Sequence, residues 1–173
     1  MTDIEEIIKI VNLLAQNEQV LADMYFAYSK EFPTFKLWNF LNEEEKKHNC
    51  LVLSILENVE DGSIQFSDMH FSVRTINIAI NQVKEEISVV EKGGRNLEQA
   101  IEFAIKVEKS MLEKNFLNYF SSDDLSIQKV LDELKTDTKS HQNVLESALD
   151  KFKKEKEYNS YESIVKRINK EQN

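Results

Sequence analysis

A chain of 173 residues with 41% apolar content is long enough for one domain with a substantial core. Three glycines and a single proline leave long uninterrupted stretches rich in Glu, Lys, Leu and Ile, which favours helices over a strand-and-turn architecture. The 22 basic and 31 acidic residues give a net charge of −9, which argues against nucleic acid or an anionic membrane as the main partner and is compatible with cation binding.

Residues 3–31 carry Ile4, Ile7, Ile8, Val11, Leu14, Ala15, Leu21, Ala22, Tyr25 and Tyr28 on one face, the pattern of a long first helix capped by Thr2 or Asp3. Glu18 occupies that face between Ala15 and Leu21. The acidic start lacks the basic region of a signal peptide. Phe32-Pro33-Thr34 breaks the helix, since proline cannot continue the ladder and its predecessor is pushed out of the helical region.

A second helix is expected from about Thr34 to Glu60, with an apolar stripe through Leu37, Phe40, Leu41, Leu51, Val52, Ile55, Leu56 and Val59. Continued through its gap, the stripe lands on Glu44, Glu45 and His48. Residues three apart share a helix face, so Glu45 and His48 point where the flanking leucines point. A carboxylate on a buried face costs several kcal/mol unless compensated, and a metal ion suits Glu and His together. Cys50 stands alone, which leaves no disulfide framework and no Cys-x-x-Cys site; a half-buried helix residue is expected there rather than a reactive thiol.

Asp61-Gly62-Ser63 ends the second helix and opens a connection reaching to about Asn96. Within it, Ile76, Ile80, Val83, Ile87 and Val90 mark a helical crossover over Val73 to Glu91. His70 has no carboxylate at helical spacing and reads as a surface or packing residue. Gly93-Gly94 is punctuation without a phosphate-binding fingerprint. A third long helix begins at Leu97 and continues through Met111 and Leu112 to Tyr119, with Glu108 on its stripe. Ser121-Ser122-Asp123-Asp124 carries capping chemistry for a fourth helix, whose stripe passes through Thr138 and His141. A bundle domain over 1–153 is thus followed by an amphipathic, partly disordered or packed tail over 154–173. No apolar run approaches a membrane span, and a reducing cytoplasm is the expected location.

The polar interruptions fall at matching depths. Glu18 lies 15 residues before Pro33, with Glu45 and His48 12 and 15 after it; Glu108 lies 14 before Ser122, with Thr138 and His141 16 and 19 after it. At 1.5 Å per residue, antiparallel neighbours bring these groups to one level, about 20 Å from the turns.

This pattern resembles the rubrerythrin and ferritin-like family of four-helix carboxylate-bridged di-iron proteins, in which two helices each give a Glu and two give a Glu-x-x-His, all projecting into the bundle core. Glu18 followed seven residues later by Tyr25 is similar to ferritin-like first helices, and Glu45-Lys-Lys-His48 supplies a Glu-x-x-His. Ala100-Ile-Glu-Phe-Ala-Ile-Lys-Val-Glu108-Lys looks like a rubrerythrin third helix. The resemblance covers about residues 5–60 and 96–150 and implies an all-α, antiparallel four-helix bundle with a helical crossover. It implies Glu18, Glu45, His48, Glu108 and His141 as ligands to two irons, with Glu45 or Glu108 bridging, and Tyr25 as a hydrogen-bond donor to a carboxylate. Peroxide or oxygen would be the substrate, an external electron donor the partner, and a homodimer the assembly.

The chain departs from the family where Thr138-Lys-Ser-His141 replaces the second Glu-x-x-His; Asp137, one position earlier and four residues from His141, is a candidate substitute whose shorter side chain points elsewhere. Met111 stands where a further Glu is common, and Phe116 or Tyr119 replaces a tyrosine expected after Glu108. No rubredoxin-like Cys-x-x-Cys pair is present. Two other readings therefore remain open: a bundle that binds or senses iron, manganese or zinc at one or two sites without turnover, and a structural bundle that works through partner helices.

Overall fold

The 3.6-residue apolar repeat at the start of the chain forms α1 (Ile4–Glu31), which stops where Pro33 removes the next donor. Phe32 N–H still reaches Tyr28 O at 2.8 Å, and Phe35 N–H then closes on Phe32 O at 3.0 Å. This turn uses the residues that the sequence assigned to the next helix, so α2 (Leu37–Glu60) begins later than Thr34. The computed structural model describes residues 4–60, 65–66, 73–110 and 120–171. The expected caps Thr2 and Asp3, the Asp61-Gly62-Ser63 stop and His70 lie outside them.

The crossover forms α3 (Val73–Val90). Its end depends on Gly93, whose φ of +69° lies in the left-handed region, and on Gly94, whose N–H reaches Val89 O at 2.9 Å. A Cβ at Gly94 would stand 2.7 Å from Val89 Cγ1 and 2.9 Å from Val89 O, so the turn has no room for a side chain. Asn96 and Gln99 then form a reciprocal capping box for α4 (Leu97–Glu108).

The third helix differs from the sequence expectation. It ends at Glu108, where Ser110 N–H turns to Val107 O at 2.8 Å in a tightened last turn. No Gly or Pro announces this stop, and Met111, Phe116 and Tyr119 lie outside the described residues. A short antiparallel pair follows between β1 (Gln65–Phe66) and β2 (Phe120–Ser121), a two-residue contact that the composition did not signal.

Asp124 caps α5 (Leu125–Glu171), with Ser126 N–H donating to its Oδ1 at 2.7 Å. This helix runs past Lys153 to Glu171 without a break. Nothing beyond Gly94 in the sequence is Gly or Pro, and Lys and Glu sustain a helix well.

Side chains that cross between helices fix the packing. Asn42 and Asn49 of α2 donate to Ala22 O and Ala15 O of α1, each at 2.6 Å; seven residues forward on one helix match seven backward on the other, so the pair is antiparallel. On the other side, Lys153 and Lys156 of α5 meet Glu102 and Glu98 of α4 at 3.1 and 2.6 Å, again antiparallel. Glu45 and His48 of α2 face His141 and Asp137 of α5, and Tyr25 of α1 reaches Glu108 of α4. The bundle order is thus α1–α2–α5–α4, and α3 packs outside against α1. Ile10, Leu21, Trp38, Leu41, Ile55, Ile101 and Leu145 are fully enclosed between these elements. Cys50, two residues past His48 and so turned to the other side of α2, is exposed and not half-buried. No helix among the described residues is long and apolar enough to cross a membrane.

The crossover is held by one buried carboxylate. Glu86 is 2% exposed, accepts from Tyr28 Oη at 2.9 Å, and is gripped by Arg95 through Nε at 2.8 and 3.0 Å and a terminal nitrogen at 2.7 Å. Arg95→Ala leaves that charge enclosed with only a phenol beside it and should cost about 3 kcal/mol in urea unfolding, whereas an apolar replacement of both partners should cost much less. Equal losses in the two variants would show that the pair does not secure α3.

Candidate metal centre

Glu18, Glu45, His48, Glu108 and His141 come from α1, α2, α4 and α5, and the fold brings all five together. They are 7%, 2%, 3%, 1% and 2% exposed, so the charges they carry are enclosed. Their burial follows from position: each continues an apolar stripe, and the antiparallel register places the interruptions at one level.

Glu45 is the centre of the cluster. Its Oε2 lies 3.0 Å from His48 Nδ1 and its Oε1 lies 2.9 Å from His141 Nδ1. Each imidazole has a further carboxylate of its own: Glu18 Oε2 is 3.9 Å from His48 Nδ1, and Glu108 Oε1 is 3.8 Å from His141 Nδ1. The two rings stack at 5.2 Å between centroids with 26° between their planes. The result is a near-symmetric row, Glu18–His48–Glu45–His141–Glu108. Ligand atoms of Glu45, His48 and His141 all lie within 4.8 Å of one another, and this buried group can hold a metal ion.

The polar atoms are incompletely satisfied by protein. Among the described residues His141 Nδ1 is enclosed without a hydrogen-bond partner, the 2.9 Å approach of His141 to Glu45 being out of line for one, whereas His48 Nε2 has Asp137 Oδ2 at 3.5 Å. A buried nitrogen that protein groups leave unpaired, among three carboxylates, is what oxygen- and nitrogen-preferring cations require.

Neighbouring residues support the cluster. Tyr25 Oη donates to Glu108 Oε1 at 2.6 Å, which fixes that carboxylate. Thr138 is buried, but its hydroxyl donates to Leu134 O at 3.0 Å within its own helix, so α5 brings no side-chain carboxylate at that position. Asp137 does not stand in for it beside His141. Its Oδ2 lies 3.5 Å from His48 Nε2, on the far side of that ring, because one residue is 100° around the helix. Phe40, half-exposed, sets its ring edge-on to His141 at 6.3 Å and covers it. The apolar stripe had placed Phe40 in the core, and nothing in the sequence marked it as a cover for the cluster.

Proximity shifts the acid–base behaviour of every member. Burial, then the charge of Glu45, raise Glu18 well above the usual carboxylate range and Glu108 to about 7. Burial also opposes ionisation of Glu45, but the imidazoles of His141 and His48 overcome it and hold that group at about 2. Burial would lower His48; Glu45 and then Glu18 bring it up to about 9, and Glu45 raises His141 likewise. No protein-family model, curated protein or solved structure matches this chain.

These shifts set the pH dependence of the metal-free protein. Glu108 moves from 4.5 to about 7, so the folded state holds its proton more tightly and loses stability as pH rises through that window. His48 moves from 6.5 to about 9; its contribution is full below 6.5 and lost by about 9. Glu45 acts oppositely, contributing above 4.5 and losing that as pH falls to about 2. Metal-free protein should therefore unfold at the highest temperature near pH 4.5 and lose stability steadily above it, with Glu108→Gln flattening the decline between about pH 4.5 and 7. A melting temperature that rises steadily to pH 9 would contradict this assignment.

Proposed function

We propose that the chain is a rubrerythrin-like, ferritin-like non-haem iron protein that binds two irons at mid-bundle and reacts ferrous iron with peroxide or oxygen. The observation that carries this reading is the position of Glu45 between two imidazoles, each with a second carboxylate. One ion would be held by Glu18, Glu45 and His48 and the other by Glu45, Glu108 and His141, with Glu45 shared. The helix order α1–α2–α5–α4 with α3 as the crossover supports a ferritin-like topology, and the donor set of carboxylates and imidazoles suits iron. Bound iron would supply the electrons and an open coordination position for the oxidant.

The chain's own residues prepare the site. The enclosing stripes exclude water, which strengthens each carboxylate's hold on a cation. Tyr25 keeps Glu108 in place. Asp137 lies beside the nitrogen of His48 that faces away from Glu45, where an N–H toward a carboxylate would leave Nδ1 free as a donor atom. An external electron donor, as the resemblance implies, would reduce the centre.

A second reading is favoured by Thr138. With its hydroxyl committed to Leu134 O, the half of the site near His141 has one carboxylate fewer than the family pattern, which suits a bundle that binds or senses metal with little turnover.

Anaerobic titration with ferrous iron, followed by elemental analysis and peroxide addition, tests both. The first reading expects two irons per chain and rapid peroxide consumption; the second expects one tight and one weak ion, slow consumption, and recovery of both occupancy and rate in Thr138→Glu. Glu45→Ala should abolish binding of both ions and the rise in melting temperature that metal confers. Wild-type protein that takes up no metal would overturn both readings.

A further inference from the structure

Three oxidisable rings lead away from the cluster. Tyr25, whose hydroxyl is bonded to Glu108, stacks on Trp38 at 5.8 Å between centroids with 18° between planes. Trp38 in turn lies 4.8 Å from Tyr28, and the two tyrosines, one helical turn apart on α1, are 6.5 Å apart. All three are 0% exposed. Tyr28 ends the run at the Glu86–Arg95 pair, where about a third of the Arg95 side chain meets solvent. Half-buried Phe35, 5.0 Å from Trp38, continues the contact toward the α1–α2 turn.

The polar atoms on these rings are arranged unevenly. Each tyrosine hydroxyl donates to a carboxylate: Tyr25 to Glu108 at 2.6 Å and Tyr28 to Glu86 at 2.9 Å. Trp38 Nε1 is enclosed and has no acceptor among the described residues. An indole N–H buried without a partner costs about 1–3 kcal/mol, and a phenylalanine would contribute ring packing without that cost. Packing alone therefore does not account for tryptophan at this position.

We infer that Tyr25, Trp38 and Tyr28 form a one-electron relay between the Glu108 side of the carboxylate–imidazole cluster and the Glu86–Arg95 end of the bundle. A phenol that loses an electron also releases its proton, and each tyrosine has a carboxylate in place to accept it. An indole without an acceptor keeps its proton, remains a cation when oxidised, and is refilled by a neighbouring ring. In the elementary step, oxidised Trp38 takes one electron from Tyr28 and the phenolic proton passes to Glu86. A soluble one-electron donor then reduces the Tyr28 radical and the proton returns from Glu86 to Tyr28. At the cluster end, Tyr25 first gives an electron to the oxidising equivalent and its phenolic proton to Glu108; Trp38 then refills the Tyr25 radical and the proton returns from Glu108 to Tyr25. No atom is gained or lost: one electron passes from the donor to an oxidising equivalent left by peroxide. The use of the relay rests on the iron reading above, whereas the ring-to-ring transfer is a property of the metal-free chain.

The chain contains one tryptophan, so a laser pulse that photoionises indole in the full-length, metal-free protein, held at about pH 8 so that Glu108 is ionised and able to accept a proton, creates the oxidised species at Trp38 alone. Transient absorption should show the indolyl radical cation giving way to a tyrosyl radical. Tyr28→Phe and Tyr25→Phe should each lower the tyrosyl yield, and the double variant should lose it while the indolyl signal persists. Circular dichroism identifies folded variants, and if the double variant does not fold, the two single variants decide the matter. The other three of the five tyrosines serve as an internal control: a tyrosyl yield unchanged in the variants, or absent from the wild type, overturns the relay. In ferrous-loaded protein treated with peroxide, a tyrosyl resonance that Tyr25→Phe removes would connect the relay to the centre. If the photochemical arm succeeds and this arm fails, the iron reading is at fault and not the relay.

Discussion

The structure depends on the enclosure of three carboxylates with two imidazoles at the middle of the bundle. Glu18, Glu45 and Glu108 are too deeply buried to be solvated, and no lysine or arginine ion pair is found with them among the described residues. Without a cation, protons are the only compensation: Glu18 and Glu108 hold theirs to unusually high pH, and His48 keeps its charge into alkaline solution. Glu45 alone is strongly acidic, because it has an imidazole on each side. A fold that tolerates this arrangement with protons has a place for divalent charge, since metal binding and proton release are linked at such ligands.

Everything around the cluster keeps these groups at one depth. The two asparagines of α2 lock its register against α1 through backbone carbonyls, and the lysines of α5 do the same against α4 at the surface. The second of these contacts is solvent-exposed and contributes little to stability, so the register there depends more on buried apolar positions such as Ile101 and Leu145. The crossover α3 is distant from the cluster yet is joined to it through Tyr28, Trp38 and Tyr25, which link the Glu86–Arg95 pair to Glu108.

Much of this was legible in the sequence because helical periodicity is a local property. The stripes of α1, α2 and α3, the Pro33 and Gly93-Gly94 turns, the cap before α5 and the common depth of the five polar residues all follow from spacing. Other features depend on tertiary detail. The end of α4 carries no breaker residue, and the continuity of α5 beyond Lys153 lies in an absence of signals. Asp137 faces His48 and not His141 because an offset of one residue redirects a side chain by more than a quarter turn. The partnership of Glu86 with Arg95 spans the glycine turn, and neither residue stands out among so many charges in the sequence. The apolar stripe marked in the sequence runs through Leu37, Phe40 and Leu41 without Trp38, whose contacts with two tyrosines of α1 exist only after the helices pack.

Glu18 and His141 belong to the same cluster but stand 123 residues apart in the sequence. Closing so long a loop is slow, and contacts of that separation form after local helices and hairpins have appeared. A cation that grips only the completed row would then act after the folding transition state. It would slow unfolding and leave the rate of folding nearly unchanged, so that its protection would be mainly kinetic.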